Sequence, residues 1–96
     1  MIRYKLTPAA KTDLKAIWRY SIDSWGLDQA IKYRDQVKQA INTLAQSPEY
    51  TRARDDVRPG YRAYKVGKHL IFFRQANGWV EIVRILHEQA DFGSHL

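Results

Sequence analysis

The sequence predicts an α+β domain on three observations. The stretch between Pro8 and Pro48 holds no proline and carries apolar residues at three- and four-residue steps. The last third, Arg58 to Asp91, breaks into strand-like runs joined by two tight turns, Gly67-Lys68 and Asn77-Gly78. A short alternating run precedes both. The predicted order is β-α-α-β-β-β, with a helical hairpin packed on one face of a small antiparallel sheet, in a single domain over residues 1–96.

Taken in order, Ile2 to Leu6 alternates enough for a first strand. Thr7-Pro8 is a helix start, because Thr caps the exposed N–H groups and Pro lacks the one that would go unused. Leu14, Ile17, Trp18, Ser21, Ile22 and Trp25 then form a stripe that should lie in the core, and Gly26 can end the helix. A second helix starts at Asp28, whose charge suits the positive helix end. Its stripe is Ala30, Tyr33, Val37, Ala40, Ile41 and Leu44, and Pro48 stops it. Glu49 to Gly60 reads as a connecting loop with room for one short helical turn. The three-strand meander follows, with Trp79 exposed after its turn and Phe92 to Leu96 as a loose tail.

Ninety-six residues lie near the lower end of what buries a core unaided. An apolar fraction of 45%, with three Trp, six Tyr and three Phe, makes that core feasible. The chain has no Cys, which excludes a disulfide framework, a Cys-ligated zinc site and a thiol nucleophile. The N-terminus shows no apolar secretory region, and the longest apolar run, Leu70 to Phe73, falls far short of the roughly 20 residues that span a bilayer. A soluble, cytoplasmic protein is expected. The formal net charge of +6 suits an acidic partner, and it equally suits simple solubility.

The turns fix a register. Counting outward from Asn77-Gly78 pairs Gln75 with Val80, Phe73 with Ile82 and Ile71 with Arg84. From Gly67-Lys68, Val66 pairs with His69, Tyr64 with Ile71 and Arg62 with Phe73. Side chains alternate across a strand, so two sets emerge. Ala63, Leu70, Phe72, Val83 and Ile85, with Tyr61, Lys65, Arg74 and Glu81 toward the rim, are expected to face the helices. Arg62, Tyr64, His69 and Arg84, among Ile71, Phe73, Ile82 and Leu86, form the face expected to take a partner.

Four stretches, LTPAAKTDLKAIWRYSIDSWG, LAQSP, RPGYRAYKVGKHLIFFR and VEIVRILHEQAD, resemble in that order the ParE toxins, of the ParE/RelE superfamily in bacterial type II toxin-antitoxin systems. The resemblance covers Ile2 to Asp91. It implies a fold shared with ribosome-dependent RNases, and a ParD-like antitoxin whose disordered C-terminal segment folds as it wraps the toxin. For the ParE branch it also implies inhibition of DNA gyrase, with broken DNA as the consequence.

Within that frame the contact residues are expected to be Arg58, Arg62, Tyr64, His69, Ile71, Phe73, Ile82, Arg84 and His87. Apolar anchors would supply affinity and cations would steer an acidic partner. The alternative is a ribosome-dependent mRNA interferase, for which Arg62, Lys65, Lys68, His69, Arg84 and His87 could supply pieces of the acid-base and charge-stabilising machinery. In the RelE-like branch, the third strand offers a basic residue and the fourth ends on a catalytic Tyr or His. Here His69 stands near the first position and Leu86-His87 near the second, while no Tyr follows Tyr64. That incomplete set favours a protein inhibitor over an enzyme.

His87 has a structural reading as well, since a lone His at a strand end is more often a hydrogen-bonded fixture. Arg84 needs a counter-charge, either Asp91 or Glu88 or an antitoxin carboxylate. Arg52, Arg54, Arg58 and Arg62 surround Asp55 and Asp56, either as a solvated loop with internal ion pairs or as a contact surface. His69, His87 and His95 lack ligand spacing, so no metal is expected, and no cofactor motif is present. The hairpin lacks the turn of a major-groove reader, so sequence-specific DNA binding by this chain alone is not expected.

Overall fold

The computed structural model describes residues 3–96, so Ile2, the expected start of the first strand, lies outside the described residues. Strand β1 (Tyr4–Leu6) leads into helices α1 (Pro8–Trp25) and α2 (Leu27–Gln46). A 3-10 turn (Pro48–Tyr50) and strand β2 (Arg52–Ala53) follow, then β3 (Arg62–Val66), β4 (His69–Ala76), β5 (Trp79–His87) and the short helix α3 (Phe92–His95). The sheet order is β1-β5-β4-β3-β2.

Local chemistry sets the boundaries. Thr7 Oγ1 accepts from Ala10 N at 3.0 Å as the N-cap of α1, and its hydroxyl donates to Val83 O at 2.7 Å. One side chain thus joins the helix start to β5. Gly26 alone connects the two helices: its N–H donates to Ile22 O, while its carbonyl accepts from Ala30 N. Its φ of 86° and ψ of 172° fall in a region open essentially to Gly. Both hairpin turns form as expected, with Asn77 and Gly78 at positive φ and Gly67 at φ 55°.

The sheet is mixed rather than wholly antiparallel, because β1 pairs in parallel with β5. Each short connection reverses the chain, so the first and last strands point the same way. Two further elements lie where a loop and a loose tail were expected, β2 and α3. Both are held to the sheet, β2 by pairing with β3 and α3 through Phe92 and Leu96.

The β3–β4 register is the one the turns imply, and so are the pairs Gln75–Val80 and Phe73–Ile82. Beyond them a bulge intervenes. The β4–β5 register skips Val83, so Ile71 faces Ile85 and Arg84 faces Phe72.

The assignment of faces is inverted up to the bulge; beyond it Ile85 lies under the helices and Leu86 on the opposite face, as expected. Ile71, Phe73, Val80, Ile82 and Ile85 pack beneath Ala10, Val37, Ala40, Ile41 and Leu44 of the helices, with Tyr64 and Val66 at the margin. The face expected to meet the helices, Ala63 and Phe72 with Leu70, instead forms a second cluster with Leu86. Val57, Ala90, Phe92 and Leu96 cover it. Register decides which residues share a face, but it does not say which face the helices take. Phe92 packs on Phe72 with ring centroids 5.0 Å apart, and the Arg54 guanidinium lies over both rings. Asp56 holds that guanidinium in a two-pronged pair at 3.0 Å, and Arg54 in turn keeps the Asp56 carboxyl below its usual range. Among the described residues, no helix is long and apolar enough to cross a membrane.

Candidate functional site

The structure disperses the expected contact set. Ile71, Phe73 and Ile82 are fully buried under the helices, so they cannot anchor a partner on the folded chain. Tyr64 packs half-buried against the same core. Arg62 is tied to the chain after α2: its Nε donates to Pro48 O at 3.0 Å and Thr51 Oγ1 at 2.9 Å. Its Nη2 donates to the carbonyls of Glu49 and Thr51. The cation thereby pins the 3-10 turn that follows α2 to strand β3.

Arg84 is likewise held, but by neither Asp91 nor Glu88. Its Nε and Nη2 donate to the Asp13 carboxylate at 2.7 and 2.8 Å, and Ile85 N donates to the same group at 3.0 Å. Asp13 raises the Arg84 guanidinium above its ordinary range. The carboxylate therefore fastens α1 to β5 just past the bulge. Arg58 remains exposed at the loop.

His69 and His87 do come together. They sit directly opposite on β4 and β5, with ring centroids 5.6 Å apart in edge-to-face contact. Tyr33, read from sequence only as part of the α2 stripe, completes the group. Its hydroxyl lies 3.0 Å from Val66 O and 2.6 Å from His69 Nδ1. A carbonyl only accepts, so the hydroxyl proton goes to Val66 and His69 Nδ1 donates to Tyr33. Burial, and secondly the neighbouring His87, holds the His69 imidazole below its usual range, while burial pushes the Tyr33 phenol up. Gly67 makes room for this: a Cβ on it would lie 2.6 Å from the Tyr33 ring. His87 Nδ1 accepts from Gln89 N at 3.1 Å. The signal available in the sequence was the Tyr33 hydroxyl, which needs a partner on a stripe otherwise apolar.

These rings line a groove of about 1060 Å³ between the hairpin and the β4–β5 end, together with Tyr20, Trp25 and Lys68. Trp25 was expected in the core, yet it is 59% exposed, and Tyr20 beside it is 61% exposed. A smaller cleft of about 240 Å³ runs between α1 and α2, lined by Leu14, Ile17, Val37 and Ile41 and rimmed by Lys15, Arg34 and Lys38. Trp18 is half-buried there under the Arg34 guanidinium, 5.2 Å from its ring. Among the described residues, no group of three or more His, Cys, Asp or Glu is placed to hold a metal ion.

Residues 4–92 match the family model for the ParE toxin of type II toxin-antitoxin systems, parDE. The chain belongs to the ParE toxin family. Toxin ParE1 of Mycobacterium tuberculosis (strain CDC 1551 / Oshkosh) is 41% identical over 95 residues, covering 98% of this chain and 97% of its own. Toxin ParE1 of Caulobacter vibrioides is 37% identical over 93 residues, covering 97% and 96%. A chain of the chromosomal ParDE TA system from P. aeruginosa superposes with a TM-score of 0.78 at 25% identity, over 91% of this chain and 96% of that one. The family match, from residue 4 to residue 92, runs through both helices and the whole meander. The chain is thus the toxin component of a type II toxin-antitoxin system.

Proposed function

We propose that this ParE-family toxin acts as a protein inhibitor of DNA gyrase in the cytoplasm, held in check by a ParD-like antitoxin, and that it is not a nuclease. Membership of the ParE toxin family supports this reading of target and antitoxin. The observation that carries the choice against cleavage is the contact between His69 and His87. In-line attack on a phosphodiester needs a base and an acid on opposite sides of phosphorus. Two imidazoles touching edge to face leave no gap for a phosphate. Arg62 and Arg84, the cations best placed in the sequence for a phosphorane-like charge, are both bound to internal oxygens.

The antitoxin surface moves accordingly, away from the buried Ile71, Phe73 and Ile82. The cleft between α1 and α2 offers the half-buried Leu14, Ile17 and Trp18 within a cationic rim of Lys15, Arg34 and Lys38, features that fit an amphipathic acidic segment folding onto it. Such a segment gains affinity from apolar burial and its approach rate from the rim charges.

The test is a gyrase supercoiling reaction with the purified chain. Inhibition with DNA cleavage that depends on gyrase is the expected result. A folded chain that leaves gyrase untouched, yet makes discrete cuts in translated mRNA that His87→Ala abolishes, would overturn the reading.

A further inference from the structure

The tip of the helical hairpin and the groove beside it form one surface patch, a protrusion next to a recess. We propose that two copies of this chain meet through that patch about a two-fold axis, each seating Trp25 in the groove of the other.

The protrusion follows from the bend. α1 ends and α2 begins on either side of Gly26, which leaves Trp25 and Leu27 in water at 59% and 56% exposure, with Tyr20 at 61%. Tyr20 and Trp25 meet edge to face at 5.7 Å, so each ring steadies the other. Exposed, steadied aromatic rings are the side chains that most often anchor a protein contact.

The recess suits that anchor. Clefts of roughly 300–1,000 Å³ take a drug-sized ligand, so a groove of about 1060 Å³ has room for an indole. His69 Nδ1 donates to Tyr33, so in the neutral ring Nε2 remains an acceptor for the indole N–H. Tyr20 and Trp25 line the groove as well as form the tip, so protrusion and recess adjoin. That adjacency is what a self-complementary two-fold contact requires.

Charge selects a second copy as the occupant. A chain of net charge +6 repels its own kind unless acids lie at the contact. Asp23 stands three residues after Tyr20 on the same side of α1, and Asp28 lies in the first turn of α2. The groove offers the exposed Lys68 in exchange. Among the described residues, neither Asp23 nor Lys68 has an opposite charge within 4.0 Å. Glu88, the acid inside the groove, is already answered by Lys65 at 3.4 Å. Across the axis, Asp23 of each copy faces Lys68 of the other, twice per dimer. An acidic antitoxin segment is drawn instead to the three cations around the neighbouring cleft. The patch is smaller than the roughly 20–30 residues a side of a standard interface, so the dimer is reversible and concentration-dependent.

Sedimentation equilibrium of the full chain over a concentration series tests this directly. The expected result is a reversible shift from 11.3 kDa to twice that mass. Trp25→Ala, a surface change, should weaken association at least about a hundredfold, since the axis removes the ring twice. Asp23→Lys and Lys68→Glu should each stay monomeric where the parent dimerises. An equimolar mixture of those two variants should form a heterodimer, because both crossed charge pairs are then restored. Misfolded variants could not produce that rescue. The proposal fails if the parent is monomeric throughout, which would leave the groove to a partner of other sequence. It fails equally if Trp25→Ala dimerises as the parent does, or if the mixture stays monomeric. Any such failure leaves the gyrase reading intact, since supercoiling is measured separately.

Discussion

The two faces of the sheet are both apolar at their centres, yet they are covered in different ways. Beneath the helices, Ile71, Phe73 and Ile82 meet two long amphipathic elements whose own stripes are continuous. On the other side, Ala63, Phe72 and Leu86 meet fragments: Val57 from a loop, and Ala90, Phe92 and Leu96 from the chain end. The first cover comes with its own hydrogen bonds already made within helices. The second is assembled from residues far apart in sequence and held by Arg54, Asp56 and the α3 turn. Burial at the centre is equal, since Phe72 and Phe73 are both sealed from solvent, but the thickness of the cover is not.

That contrast is broken most directly by removing one ring from each side. Phe73→Ala should cost about 4 kcal/mol, because a fully buried ring leaves a cavity that two helices and a sheet cannot collapse into. Phe92→Ala, on the half-buried cover of the other face, should cost about 1.5 kcal/mol. Urea unfolding of both variants measures the difference. Equal losses would mean that the tail is as firmly built in as the helices.

The same contrast explains what could be read from the sequence. The helix boundaries and the two hairpin turns were legible because their causes are local: Thr7-Pro8, Gly26, Gly67-Lys68 and Asn77-Gly78. The face taken by the helices was not, since Ala63-Phe72 and Ile71-Phe73 alternate equally well. Arg62 and Arg84 pointed the wrong way. Among apolar residues, Arg62 suggested a partner, and Arg84 either a partner or a carboxylate at Asp91 or Glu88, whereas Pro48, Thr51 and Asp13 already satisfy them. No local pattern announces a carboxylate 71 residues upstream, and none announces the bulge at Val83 that swings Arg84 away from Ile71. His69 and His87 were found, but Tyr33, which fixes the His69 ring, was hidden in a stripe that looked wholly apolar.

The Arg84–Asp13 pair sharpens the comparison at the seam between the faces, where α1 meets the edge of β5. Arg84→Ala should cost about 2 kcal/mol, because Asp13 would keep only the Ile85 N–H as a partner while remaining largely shielded from water. Asp13→Ala should do similar harm by exposing both the guanidinium and that N–H to the loss. The double variant should be less destabilised than the sum of the two, with a coupling of about 1 kcal/mol or more. Strict additivity in denaturant unfolding would show that the pair contributes nothing as a pair.

The smallest effect belongs to the groove and is read against pH. His69 is held below its unfolded value near 6.5 by burial first and by His87 second, while Asp13 and Glu88 act weakly in the opposite sense. The unfolded chain therefore binds more protons at this position than the folded one as pH drops. By linkage, the contribution of His69 to stability is fully present above about pH 6.5 and is lost as pH falls toward its folded value. Unfolding free energy should decline between pH 7 and pH 5, and His69→Gln, which cannot take up the proton, should flatten that decline. Phe92→Ala should leave the slope untouched, because the outer cover holds none of the groups that face His69. A slope in His69→Gln as steep as in the parent would assign the acid sensitivity to the exposed carboxylates instead of the groove.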